Sequence, residues 1–126
     1  MSAFNLLCEF CLLPLALAVS GNAGFEQDTI ATSKGDLRIT FIGHGTLMFE
    51  IGGLTIHVDP VSRYADYSTL PKADIILVTH EHGDHLDKAA IDKITSQDTV
   101  LLLTEACARQ VPSGLVMRNG DVKEAT

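Results

Sequence analysis

The chain has 126 residues, 46% of them apolar and 20% charged, with a formal net charge of −7. That length suits one domain and that composition suits a packed core, which excludes a disordered chain. Nine Lys and Arg against sixteen Asp and Glu, with no basic run, lack the electrostatic footprint of a protein that binds nucleic acid or an anionic membrane.

No Lys or Arg occurs before Lys34. Within that stretch lies LLCEFCLLPLALAVSGNAG, Leu6 to Gly24, whose apolar run Leu12–Val19 ends in small residues. The pattern resembles a secretory signal peptide with cleavage near Gly21-Asn22-Ala23. Residues 1–23 are therefore expected to direct export to the periplasm or beyond. An uncleaved anchor is the alternative, favoured by Glu9 and by the missing positive start. The run is too short and broken for a membrane span, so no stable insertion is expected once the leader is gone. Cys8 and Cys11 have the C-x-x-C spacing of redox or zinc sites. Both sit inside the leader and are read as small hydrophobes. Cys107 would then be the one mature cysteine, a packed structural thiol.

Residues 24–36 are polar and read as a loop-like linker, with the domain over 37–126. Leu37, Ile39 and Phe41 alternate with Arg38, Thr40 and Ile42. Leu47, Phe49 and Ile51 do the same, and so do Leu54, Ile56 and Val58 after a Gly52-Gly53 hairpin signal. This is an antiparallel meander with one apolar face. Asp59-Pro60 stops the third of these strands, since proline cannot donate to a ladder. Val61 to Lys72 is a loop carrying Tyr64 and Tyr67. Ile75–Val78 is a continuous apolar run, expected to be covered on both faces. A helix is expected over Leu86–Ile94 and a buried strand over Val100–Leu103. Thr104 caps a short helix through Gln110, and Leu115–Met117 forms a last strand. The fold class is α/β, its sheet passing from antiparallel to parallel strands.

THEHGDHLD, Thr79 to Asp87, holds three of the five histidines and three carboxylates. It follows the end of a buried strand, where sites in α/β sheets concentrate. Gly83 lets the loop fold tightly. Imidazole nitrogens and carboxylate oxygens together suit zinc, manganese or iron. His80 and His82, two apart, point to one side of an extended backbone. Asp84 and His85 point differently. Two neighbouring metals fit so short a loop better than one. The structural alternative is that Asp84 and Asp87 cap the following helix. Capping accounts for two aspartates but not for three histidines.

His80-Glu81-His82-Gly83-Asp84-His85 resembles the H-x-H-x-D-H signature of the metallo-β-lactamase superfamily. Ile42-Gly43-His44-Gly45-Thr46, Phe49-Glu50-Ile51-Gly52-Gly53 and Val58-Asp59-Pro60 add similarity to its ascorbate-6-phosphate lactonase-like branch, over about Leu37 to Asp121. The resemblance implies an αββα sandwich with a metal site at the sheet edge, this chain forming its first half. It implies that His80 and His82 bind the first metal, and Asp84 and His85 the second. Asp84 would also be catalytic, orienting a hydroxide or relaying its proton. Asp59 would hold the site's loops by hydrogen bonds, and His44 would lie near the substrate opening. His57 is read as structural or exposed. The cofactor expected is two zinc ions, with manganese or iron as alternatives. The implied reaction is attack of metal-activated hydroxide on an ester, lactone or phosphodiester, in a small-molecule substrate.

The family's further ligands, a third histidine, a bridging acid and a final histidine, come from its second half. No histidine follows His85. The chain is therefore expected to represent the N-terminal half, with little activity of its own. The alternative is a non-catalytic metal-binding or interaction domain that completes its site by dimerisation. A ribonuclease is disfavoured by the acidic balance.

Overall fold

The structure is a computed structural model that describes residues 24–124. The leader, with Cys8 and Cys11, lies outside the described residues. Seven strands form one sheet in chain order: β1 (Glu26–Thr32), β2 (Gly35–Gly43), β3 (Thr46–Ile51), β4 (Leu54–Val58), β5 (Ile75–Val78), β6 (Val100–Leu103) and β7 (Leu115–Val116). Strands β1 to β4 pair antiparallel. From β4 onward every pairing is parallel. The crossovers carry the helices α1 (Lys88–Ile94) and α2 (Glu105–Ala108).

The first strand corrects the linker reading. Glu26–Thr32 is paired along its whole length with Gly35–Phe41 of β2. Every β1 residue is exposed. The strand therefore shows no buried alternation, and backbone ladder bonds at the sheet edge hold it in place. A polar edge strand is also what discourages pairing with other chains. Between β3 and β4, Gly52 and Gly53 have φ of +57° and +87°. Both central turn residues thus occupy the left-handed region that a tight hairpin needs.

Two helix starts follow the expected chemistry. Asp87 caps α1, its Oδ1 accepting from the backbone N–H of Ala89 at 2.8 Å and of Ala90 at 3.3 Å. Thr104 caps α2 through the Cys107 N–H. Helix α1 turns Ala90, Ile91 and Ile94 inward. They join Ile42, Met48, Tyr67, Ile76, Val78, Leu103 and Cys107 in one buried cluster. Cys107 is fully buried and forms no disulfide among the described residues, as a structural thiol should. Burial also pushes the Tyr67 hydroxyl up to about 12.

The core does not lie on the meander face that the alternation suggests. The covered face carries Thr40, Ile42, Thr46, Met48 and His57. Leu37, Ile39, Leu47, Phe49, Ile51, Ile56 and Val58 point the other way and are half-buried, while Phe41 and Leu54 are exposed. The strand register continues that apolar row through Ile75, Leu77, Leu102 and Leu115. None of these residues is buried, so β5 and β6 are covered on one face only among the described residues. One mixed sheet with its helices on a single face is half of an αββα sandwich.

His57 is structural. Its ring is fully buried, and Nε2 lies 3.1 Å from the Pro71 carbonyl. Nε2–H must therefore donate, which leaves Nδ1 without a partner among the described residues. Burial lowers its pKa below the ordinary 6.5, and the bond to Pro71 opposes this only in part. The unfolded chain then binds this proton at higher pH than the folded chain, so stability falls as pH drops below 6.5. In metal-free denaturation, stability of the natural chain should fall more steeply with acidification over that window than stability of His57→Leu. Parallel slopes would contradict this assignment.

Candidate metal centre

The site forms at the carboxyl ends of β4 and β5. Because β3 runs antiparallel to β4, the β2–β3 turn comes to the same end of the sheet, where Leu47 pairs with Val58. Three segments meet there: the turn Gly43-His44-Gly45, Asp59 after β4, and Thr79 to His85 after β5. The last segment is drawn into a tight loop by the His85 and Leu86 N–H groups, which both donate to the His82 carbonyl. Glutamine 110, just beyond α2, steadies it by donating from Nε2 to the Glu81 carbonyl at 3.2 Å.

The four residues singled out by the signature converge. The rings of His80 and His85 have centroids 3.9 Å apart, and those of His80 and His82 are 4.9 Å apart. One ligand atom from each of His80, His82 and Asp84 lies within 4.8 Å of the others. The same is true of His44, Asp84 and His85. Asp84 belongs to both groups. Its carboxyl is held below the usual range, first by its own backbone N–H and then by the neighbouring His85, His44 and His80. It therefore stays ionised, as a carboxylate that binds a cation must be. Nitrogen and oxygen donors grouped this closely fit a borderline divalent metal.

The two aspartates of the stretch have separate jobs. Asp87 caps α1, and its Oδ2 accepts from the Ser62 N–H at 2.8 Å. Burial pushes its carboxyl up, but the bonds from Ser62, Ala90 and Ala89 prevail and hold it low. Asp84 makes no cap. The capping alternative is thus right for Asp87 alone.

Asp59 is buried behind the site at a strained φ of +46°. Its Oδ1 accepts from the Thr79 N–H at 2.7 Å. Its Oδ2 accepts from the Thr79 hydroxyl at 2.7 Å and from His85 Nδ1 at 2.8 Å. His85 must therefore carry its proton on Nδ1, leaving the Nε2 lone pair free. The Thr79 hydroxyl also lies 3.0 Å from His80 Nδ1. Its single proton is committed to Asp59, so it accepts from His80 Nδ1–H. One carboxylate thereby sets both tautomers, His85 directly and His80 through Thr79. Metal-binding histidines are typically oriented in this way, by a carboxylate on the far ring nitrogen.

Sequence reasoning places Asp59 beside the site but does not find Thr79, Gly45 or Tyr64. A Cβ on Gly45 would come within 2.9 Å of His85 Cε1. A Cβ on Gly43 would meet the Tyr64 ring at 3.2 Å. Both glycines are clearances for rings that arrive from elsewhere in the chain. The only sequence sign of this is that two glycines bracket His44.

The chain is similar to proteins already known. The family model for the beta-lactamase superfamily domain matches residues 38–122. A UPF0173 metal-dependent hydrolase of Flavobacterium johnsoniae is 48% identical over 67 residues, covering 48% of this chain and 29% of that protein. One from Desulforamulus reducens is 35% identical over 80 residues, covering 59% and 35%. The crystal structure of a Parabacteroides distasonis protein named for a metal-dependent hydrolase superposes with a TM-score of 0.74 at 51% identity. That match covers 77% of this chain and 44% of the other. The chain thus spans less than half the length of each of these relatives. With the fold, the H-x-H-x-D-H loop and the family match in agreement, the chain belongs to the metallo-β-lactamase superfamily.

Proposed function

We propose that His80, His82, Asp84 and His85 hold two divalent cations, zinc in first place with manganese or iron as alternatives. The centre would serve hydrolysis of an ester, lactone or phosphodiester in a small-molecule substrate. The observation that carries this reading is the pair of ligand groups that share Asp84. When bound, the cations would supply Lewis acidity and acidify a water from a pKa of about 15.7 to about 7.

The chain's own residues do the rest. His80 and His82 form one ligand group with Asp84, and His85 belongs to the other. Asp59 and Thr79 keep the His80 and His85 lone pairs directed into the site. The Asp84 carboxylate, 44% exposed, is open to the substrate side and can take up and release the proton of the attacking water. Since the chain spans less than half of its relatives, we expect the substrate pocket to need a further layer, and turnover by this chain alone to be slight.

The test is to load the 126-residue chain with zinc or manganese, measure metal per chain, and assay a lactone and a phosphodiester. Two cations per chain with slight turnover is the expected result. A chain that retains no metal would refute the centre, and fast turnover would refute the need for a further layer.

A further inference from the structure

His44 is the one site histidine that the β5 loop does not supply. It occupies the β2–β3 turn at φ +52°, a left-handed conformation uncommon for residues with a side chain, which asparagine, aspartate and histidine adopt more readily than the rest. Turns usually place glycine, asparagine or aspartate there. Glycines stand on both sides, yet the strained position carries an imidazole. The turn is pressed against the site. Gly45 has no room for a Cβ beside His85, and the His44 ring stacks on Tyr64 with centroids 6.2 Å apart. His44 Nε2 ends 3.3 Å from Asp84 Oδ2. His85 Nε2 approaches that same oxygen to 3.8 Å. With metal–ligand bonds of 2.0–2.2 Å, ligands around a tetrahedral cation stand about 3.3–3.6 Å apart. The observed spacings straddle that range, and the His44 and His85 rings meet edge to face at 5.1 Å rather than stacking on each other.

We propose that His44 Nε2 is a direct ligand of the second cation, completing a two-histidine, one-aspartate set with Asp84 and His85. This rests on the two-cation reading above. It gives each cation three ligands from this chain, with Asp84 common to both. The β2–β3 turn then ties the antiparallel half of the sheet to the metal loop.

The experiment uses the full chain labelled with 15N at histidine and titrated with zinc. Ring nitrogens are read through their carbon-bound protons. Four imidazole signals, Nε2 of His44, His80 and His85 and one ring nitrogen of His82, should move to the metal-bound position, while buried His57 stays put. His44→Asn tolerates the left-handed backbone and can still donate to Asp84. In it, the second cation should bind at least tenfold more weakly and the first about as before. If His44 only positioned Asp84, His44→Asn would bind both cations as the natural chain does, which would overturn the proposal. Movement of three signals, without His44, would overturn it equally. Movement of none would sink the two-cation reading itself, and this inference with it.

Discussion

Asp59→Ala is expected to destabilise the metal-free chain by several kcal/mol, since each enclosed donor left without its acceptor costs about 1–3 kcal/mol. Asp59 is 2% exposed, and the Thr79 N–H and His85 Nδ1–H would lose their acceptor. Alanine is also poorly suited to a φ of +46°. Asp59→Asn separates stability from function. Asparagine keeps the volume and tolerates the left-handed backbone. Its amide, placed where Oδ2 was, would donate to His85 Nδ1 and to the Thr79 hydroxyl. His85 would then move its proton to Nε2. The Thr79 hydroxyl, freed from Asp59, would donate to His80 Nδ1 and shift that tautomer as well. Both imidazoles would turn a protonated nitrogen toward the cations. Zinc affinity should fall by about 10–100-fold, the usual effect of losing a partner behind a metal ligand. Unfolding should change much less than in Asp59→Ala. Ring 15N shifts would report the tautomers directly. An unchanged zinc affinity in Asp59→Asn would show that Asp59 does not set them.

Asp84→Asn should have the opposite signature. Asp84 caps no helix and is half exposed, so the metal-free thermal midpoint should stay where it is. Both cation sites should weaken together, because its carboxylate belongs to both ligand groups. Losing a ligand common to two sites should exceed the roughly 10–100-fold cost of losing a supporting partner. His82→Ala should weaken mainly one site and His85→Ala mainly the other. Calorimetric titration of the three variants separates these patterns. If Asp84→Asn weakened only one site, the shared carboxylate would be excluded, and two independent centres would describe the loop better.

The three aspartates show how similar side chains close together in sequence or space acquire different tasks. Asp59 is enclosed, accepts three bonds and works through His85 and Thr79. Asp84 is open, accepts its nearest bond from its own backbone and faces the imidazoles. Asp87, three residues further on, spends both oxygens on backbone N–H groups at the start of α1. Hydrogen-bond saturation decides which carboxylate remains free to bind a cation.

The sequence by itself determined the local features. The strands β2 to β7, the Gly-Gly hairpin, the Asp87 and Thr104 caps and the position of the histidine loop after β5 all follow from periodicity, turn chemistry and spacing within a few residues. Only the tertiary structure decided three things. The first is β1, whose polar residues carry no burial signal because edge pairing uses backbone groups common to all sequences. The second is which sheet face holds the core. Strands with apolar residues on both faces fit either choice until α1 and the 61–73 segment cover one, and they cover Met48, His57 and Ile76 rather than Leu47, Ile56 and Ile75. The third is the approach of His44 and Asp59 to a loop 20 or more residues away, since the path that brings β2, β4 and β5 to one end of the sheet belongs to the whole fold and to no single stretch of chain.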